Sequence, residues 1–211
     1  MTDYSQNGEQ KYILKALGYG DWMGADLATA RPPGRLLDIG AWNAKTFSNS
    51  RALIELGWSA VLFEPSPGPL KGLVEEYGNN PRVEVVGCPV TLHGGPVKLR
   101  VTEDALSAEA DNAEHLKKWD GYGFYGTMTS YSVPFPFVFA AWGQFDFVSI
   151  DTEGTSVDLF RKLCYMKSRP RCVCLEHDSC WPEIEAAAKA GGYHLMHPPE
   201  ENGINVVLER R

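Results

Sequence analysis

The chain predicts an α/β fold: a doubly wound, mostly parallel sheet with an antiparallel C-terminal edge hairpin. Three observations carry this expectation. Arg35 to Glu64 (RLLDIGAWNAKTFSNSRALIELGWSAVLFE) reads as strand, helix, strand, with an acid at the tip of each strand. Strand-like and helix-like runs then alternate to Ala190, the pattern of parallel strands joined by helical crossovers. The last two apolar runs, Tyr193 to Met196 and Ile204 to Leu208, are joined by turn-rich PPEENG rather than by a helix, so they pair antiparallel.

In chain order, Glu9 to Leu17 (EQKYILKAL) places Tyr12, Ile13, Ala16 and Leu17 at helical spacing, with Gly18 as a stop. Gly20 to Ala30 reads as a second short helix before Pro32-Pro33-Gly34 breaks the chain. Residues 1–34 are therefore expected to form a helical cap. The first strand is Arg35 to Ile39, its helix runs from about Thr46 to Leu56, and Gly57 ends it. The second strand is Ser59 to Phe63. After Glu64, Pro65-Ser66-Pro67-Gly68 leads into a helix whose apolar face holds Leu70, Leu73, Val74 and Tyr77.

Val83 to Val86 is the third strand, and Val97 to Val101 reads as part of a hairpin turned at Gly94-Gly95. Thr102 to Trp142 breaks the rhythm: it is acidic and alanine-rich, then aromatic and glycine-rich (WDGYGFYG), then proline-interrupted (VPFPFVFAAW). A stretch that long and irregular inside a compact domain is more often functional than idle. The rhythm resumes with a strand at Phe145 to Ile150, a helix from Ser156 to Leu163, a strand at Arg171 to Leu175 and a helix at Pro182 to Ala190.

Composition bounds the function. The 211 residues suit one domain with a full core, and 44% hydrophobic with 22% charged residues is ordinary for a globular protein. A net charge of −7 opposes general binding to nucleic acid or membrane surfaces. The polar start MTDYSQNGEQ lacks a signal-peptide core, and no apolar run approaches the ~20 residues of a membrane span. A cytoplasmic location is expected, and nothing fixes the oligomeric state. The five cysteines have no framework spacing; Cys172 and Cys174 alternate in a strand-like run and read as buried thiols. His93, His115, His194 and His197 are isolated and read as structural.

The chemistry starts at Gly40. A dinucleotide fold wants G-x-G-x-x-G, but Gly40 is followed by Ala41, Trp42, Asn43, Ala44 and Lys45. The later glycines are missing, and Trp42 stands in the path of a pyrophosphate. A ligand with adenosine but no phosphate fits better, and S-adenosylmethionine is the common one. Asp38 can face its ammonium, and backbone amides near the following helix can meet its carboxylate. Glu64 lies at the spacing of a ribose-binding acid, and a carboxylate can accept from both ribose hydroxyls. The alternative is that both acids cap helices or hold loops.

Four motifs in order, DIGAWNAKTFSNS, GW, FEPSP and VSIDTEG, resemble the FkbM family of methyltransferases. The similar branch reads D-x-G-A-x-D-G-x-x-x-S-N-[ST], G-W-x-G, E-P-x-P and S-I-D-T-E-G, and the likeness covers Leu36 to Phe160. It implies a Rossmann-like methyltransferase domain over residues 35–211 and O-methylation of a hydroxyl on a sugar or natural product. It also implies that Asp38, Gly40 and Ala41 form the first cofactor loop, that Glu64 is the ribose acid and that Pro65 shapes the next turn. Adenine is then expected near Cys88 and Val90, and Asp151 with Glu153 beside the transferred methyl. Two departures stand out. Asn43-Ala44 replaces Asp-Gly, at the cofactor's amino-acid end, and Thr155-Ser156 replaces Ser-Glu.

A neutral hydroxyl is a poor nucleophile, so a base or a metal should help remove its proton. Asp151 and Glu153 lie at one strand tip, and Glu176, His177 and Asp178 at the next. His177 is a candidate base, with an unperturbed pKa near ~6.5. Asp151, Glu176 and Asp178 are candidate Mg²⁺ ligands, being hard oxygen donors. The 102–142 segment is the expected acceptor lid, with Trp119, Tyr122 and Tyr125 as stacking residues, while Phe135, Phe137 and Phe139 read as core. The expected acceptor is a small molecule or glycan, not nucleic acid or membrane. Competing readings are a nicotinamide-dependent oxidoreductase, a catalytically silent binding module and an RNA methyltransferase, the last hinted at by Arg161, Lys162, Lys167, Arg169 and Arg171.

Overall fold

The computed structural model of the chain describes residues 2–20, 32–102, 107–109, 117, 123–197 and 204–210. The expected second helix at 20–30, Trp119, Tyr122 and His115 lie outside them, apart from Gly20. Seven strands form the main sheet: β1 (Arg35–Ile39), β2 (Ser59–Phe63), β3 (Val83–Val86), β8 (Phe147–Ile150), β9 (Cys172–Glu176), β10 (Tyr193–His197) and β11 (Asn205–Arg210). Their spatial order is β10-β11-β9-β8-β1-β2-β3. β3, β2, β1, β8 and β9 run parallel, while β11 lies antiparallel to both β9 and β10. This is a Rossmann-like, mostly parallel sheet, doubly wound outward from β1, with the antiparallel edge that the C-terminal turn chemistry predicts.

Strand alternation divides the core in two. Leu37, Ile39, Val61, Phe63, Val148, Ile150, Val173 and Leu175 face one side. There they meet α4 (Phe135–Trp142), α5 (Ser156–Cys164) and α6 (Trp181–Gly191) through Phe135, Val138, Leu159, Phe160 and Ile184. Leu36, Ala60, Leu62, Phe147, Cys172, Cys174 and Val207 face the other side. Their partners are α1 (Glu9–Leu17), α2 (Arg51–Glu55) and α3 (Pro67–Tyr77). Burial of Ile13, Leu14 and Leu17 fixes α1 on the sheet face, worth roughly 2 kcal/mol per side chain. All five cysteines are free; Cys172 and Cys174 are fully buried, and burial pushes both thiols up.

Three expectations need correction. The helix expected from Thr46 starts only at Arg51, because side chains divert the backbone first. Asn43 Oδ1 accepts from the amides of Lys45 (2.8 Å) and Thr46 (3.0 Å), and Phe47 takes a left-handed φ of 54°. The β strand after Gly94-Gly95, β5 (Gly95–Val101), does not pair back across that turn. It joins a second sheet of order β4-β7-β5-β6, with β4 (Val90–Thr91), β6 (Ser107–Glu109) and β7 (Gly126–Pro134). The expected irregular stretch thus contains regular strands and α4. Finally, Phe135 and Phe139 are core, but Phe137 is 55% exposed because its position on α4 points away from the sheet.

Candidate cofactor and acceptor site

The carboxyl ends of β1, β2, β8 and β9 converge on one cavity of about 270 Å³, just below the usual range for small-ligand sites. Gly40, after β1, has φ +82, and a Cβ there would lie 1.7 Å from the Asp151 carbonyl oxygen. Only glycine lets the β1 and β8 tips approach this closely. The Gly40 and Ala41 amides both donate to the Phe63 carbonyl, at 2.9 and 3.0 Å, tying the loop to β2. Trp42 follows with φ 41, and its amide donates to Glu64 Oε2 at 2.8 Å. The Ser66 amide donates to Glu64 Oε1 at 2.7 Å. Each oxygen of Glu64 therefore holds one backbone donor and keeps lone-pair capacity for a ligand on the cavity side.

Pro65, Cys88, Pro89, Val90 and Leu99 make an apolar wall beside Glu64. Trp42 and Phe47 stack with centroids 5.7 Å apart on the opposing loop and also line the space. Asp151, Thr152, Glu153, Thr155 and Glu176 form the far end. All five non-glycine residues with positive φ among those described (Trp42, Phe47, Glu153, Asp178 and Ser179) lie in loops at this end of the sheet. Strained backbone concentrated at one face of a sheet marks a place where the surrounding fold holds it for use.

Electrostatics follow from burial. Glu64 is pushed up to about 7, because desolvation outweighs the hydrogen bonds from Ser66 and Trp42. Asp151 is also raised, by burial first and then by the nearby Glu153 charge. It shares a side-chain hydrogen bond with Glu176, its neighbour across the β8–β9 register.

A raised carboxyl binds its proton more tightly folded than unfolded, so stability is full below the unfolded pKa near 4.5 and falls as pH rises through about 7. For Glu64 this is worth roughly 3 kcal/mol. In denaturant titrations the ligand-free wild type should lose about that much more stability between pH 5 and pH 8 than Glu64→Gln. Parallel pH profiles for the two proteins would contradict the assignment.

The structure sorts the expected site residues. Gly40, Trp42, Glu64, Pro65, Cys88, Val90, Asp151, Glu153 and Glu176 line the cavity. Asp38 does not: it lies within β1 and points to the opposite sheet face from Leu37 and Ile39, against Ser50 and Ser149, where burial raises its pKa. Ala41 is buried in the α1-side core with its amide spent on Phe63. Asn43 is an exposed turn residue, so that departure from the family pattern shapes the loop away from the cavity wall. No anion site opens at α2 either, since it has five residues and the preceding Lys45, Thr46 and Ser48 amides are already bonded.

His177 and Asp178 also stand outside the cavity wall. His177 Nδ1 accepts the Ser179 amide at 3.1 Å across a left-handed turn that carries Asp178 away. Among the described residues, no set of three or more His, Cys, Asp and Glu side chains could hold a metal ion, so the expected Mg²⁺ cluster is not assembled. Tyr125 is 66% exposed and is not on the cavity wall. Arg161 and Lys162 lie in the last turn of α5, and Lys167, Arg169 and Arg171 follow it before β9, at the end of the strands opposite the cavity. Arg161, Arg169 and Arg171 are engaged with Asp158, the Cys164 and Gly191 carbonyls, and Glu209 respectively. No helix among the described residues is long and apolar enough to cross a membrane.

Sequence reasoning missed Gln6, Phe47, Thr152, Ile204 and Asn205, all of which line the cavity. Gln6 arrives because Ser48 donates to the Tyr4 carbonyl (2.9 Å) while the Tyr4 amide donates to Gln10 (3.0 Å), pinning the N-terminal strap over the loop. Asn205 arrives through the antiparallel register that sets it opposite Glu176. Neither relation has a local signal. Ser156, the second family departure, is buried and accepts the Thr152 amide at 3.0 Å, fixing the acidic loop.

No protein-family model and no curated protein matches the chain. Solved structures with a similar course include a ribosomal protein L11 methylase from Lactobacillus delbrueckii subsp. bulgaricus, at 11% identity and TM-score 0.46, covering 97% of this chain and 80% of that one. The N-terminal domain of human METTL16 gives 13% identity and TM-score 0.48, covering 95% and 67%. A Methanococcus jannaschii fibrillarin pre-rRNA processing protein gives 12% and 0.43, covering 85% and 67%. At such identities and TM-scores these likenesses assign no activity or acceptor to the chain.

Proposed function

We propose that the chain is an S-adenosylmethionine-dependent methyltransferase that methylates a hydroxyl on a carbohydrate or small natural-product acceptor. The observation that carries this is Glu64: a buried carboxylate beyond β2, locked by two backbone amides and bordering a cavity with no phosphate-binding glycine loop. The donor set suits the cofactor. Glu64 would take the ribose hydroxyls, the Cys88–Val90 and Leu99 wall the adenine, and the acidic end the positive charge. Among the described residues no Lys, Arg or His lines the cavity, which disfavours the pyrophosphate of a nicotinamide dinucleotide.

The bound cofactor supplies a methyl group on a cationic sulfur, a leaving group that departs as a neutral thioether. This chain's residues then have two tasks: holding the acceptor oxygen in line with that methyl and receiving its proton. In this reading Asp151 receives the proton. Its pKa, raised to about 8 by burial, makes its ionised form a stronger base than an ordinary aspartate, so turnover by this route should rise with pH through about 8. Trp42 and Phe47 would cover the acceptor from the loop side. Support for a small acceptor over RNA comes from the charged side chains that line the cavity among the described residues, which are all acidic, and from the distant, largely engaged basic residues.

Asp151→Asn is expected to retain the fold and bind the demethylated cofactor within a few-fold of wild type, while turnover falls roughly 10²–10⁴-fold. Unchanged turnover would remove Asp151 from the reaction. The reading as a whole is tested by calorimetric titration with S-adenosylmethionine, its demethylated product and NAD. Saturable binding of the first two is expected, and binding of NAD alone would favour an oxidoreductase.

A further inference from the structure

We propose that the chain carries a second ligand site, at the opposite end of the strands from the cofactor cavity, that takes a small apolar α-amino acid as its zwitterion. A cavity of about 170 Å³ opens there at the N-terminal ends of β1, β2 and β3. Among the described residues its charged side chains are Arg35, Arg82 and Glu84, with Ser59 between them and Val61 and Trp142 as an apolar wall. Two guanidinium groups against one carboxylate reverse the sign of a chain whose net charge is −7. The chemistry of this site is independent of the methyltransferase reading.

The strand register builds the site. Arg35 and Ser59 are partners across parallel β1 and β2, and the Ala60–Val83 pairing sets Arg82 beside Ser59 on the third strand. The Arg82 carbonyl accepts the Ala60 amide at 2.8 Å, which pins its turn to β2. Neighbouring strands lie about 4.8 Å apart, so the two arginine backbones are roughly 10 Å apart with Ser59 between them. Two long fork-shaped side chains close that gap around one carboxylate. Arg35 is already oriented: its Nη1 donates to the Gln144 carbonyl at 3.5 Å, and its guanidinium lies 5.3 Å from the Phe145 ring centroid. The other N–H groups of its fork stay open for a ligand.

Glu84 supplies the opposite sign. It is the register partner of Val61, one step further along the same face. It shares the cavity with both arginines yet forms an ion pair with neither, and the Arg82 guanidinium also has no partner among the described residues. Opposite charges on one wall, held apart, match a ligand that carries both: a carboxylate between the arginines and an ammonium toward Glu84. A phosphate dianion would stand against Glu84, and a simple amine would meet two cations. Trp142, half-buried and packed edge-on to Phe63 at 5.4 Å, joins Val61 as the surface for an apolar side chain. The volume is below the usual range for small-ligand sites, which favours an amino acid over a nucleotide.

The test is calorimetry on the full chain with leucine, 4-methylpentanoate, 3-methylbutylamine and inorganic phosphate. The first three share one aliphatic branch and differ in the charged groups they carry. Leucine is expected to bind saturably, at least about five-fold tighter than any of the others. Arg82→Ala should weaken leucine and 4-methylpentanoate alike by about five-fold or more. Glu84→Gln should remove the advantage of leucine over 4-methylpentanoate while leaving the latter no weaker than in wild type. Both residues are exposed, so both variants should keep the wild-type denaturation midpoint. Leucine affinity should also stay within about two-fold when the demethylated cofactor is present. No saturable leucine binding, equal binding of leucine and 4-methylpentanoate, preference for phosphate, unchanged affinities in the two variants, or displacement of leucine by the demethylated cofactor would overturn the site. Failure of the demethylated cofactor itself to bind would overturn the methyltransferase reading alone.

Discussion

Replacing Gly40 with alanine should abolish detectable cofactor binding, a loss of at least a hundred-fold, and destabilise the fold by about 3–5 kcal/mol. Two costs add. The residue sits at φ +82, where an L side chain is strained by roughly 1–2 kcal/mol. The new Cβ would also lie 1.7 Å from the Asp151 carbonyl oxygen, a backbone atom with no rotamer to yield. Relief requires the β1 and β8 tips to part, which moves Trp42 away from Glu64 and opens the cavity floor. Gly192→Ala is the control, because it has φ +76 and nothing within 4 Å of the added Cβ. It should cost only the dihedral strain and leave binding intact. Equal effects in the two variants, read by denaturant titration and calorimetry, would show that the close approach at Gly40 does not matter.

Glu64→Ala should weaken cofactor binding by roughly 1.5–3 kcal/mol, or about ten- to a hundred-fold, the worth of hydrogen bonds to a charged group. The change also orphans the Trp42 and Ser66 amides, which Glu64 now holds at 2.8 and 2.7 Å. Some loss of loop order is therefore expected alongside the lost contact. The pH behaviour separates these contributions. Ribose hydroxyls donate best to the ionised carboxylate, so wild-type affinity should rise with pH through about 7, where Glu64 titrates. The Glu64→Ala protein should lack that rise. A wild-type affinity flat from pH 6 to pH 8 would argue that Glu64 does not meet the ligand.

Much of this was legible because it is local. Alternating apolar runs gave β1, β2 and β9 to within a residue, and the strand-helix rhythm gave the doubly wound order. Gly40 and Glu64 were readable as the residues just past strand ends, and both line the cavity there. Asp38 was misplaced for the same physical reason: it precedes Ile39 within β1, and alternation turns it into the opposite face. The late start of α2 came from Asn43 competing for backbone amides, which helical periodicity does not register. Gln6 and Asn205 were invisible because each reaches the cavity through distant pairings, one through Tyr4 and Ser48, the other through the β9–β11 register.

The central claim is that Glu64 anchors the adenosine of a sulfonium cofactor whose reactive end faces Asp151. A crystal structure of the chain soaked with the demethylated cofactor tests it most directly. The account predicts both ribose hydroxyls within hydrogen-bonding distance of Glu64, adenine against Cys88 and Val90, and the thioether sulfur on the Asp151 side of Trp42. Density that avoids Glu64, or a cavity that stays empty at saturating ligand, would contradict it.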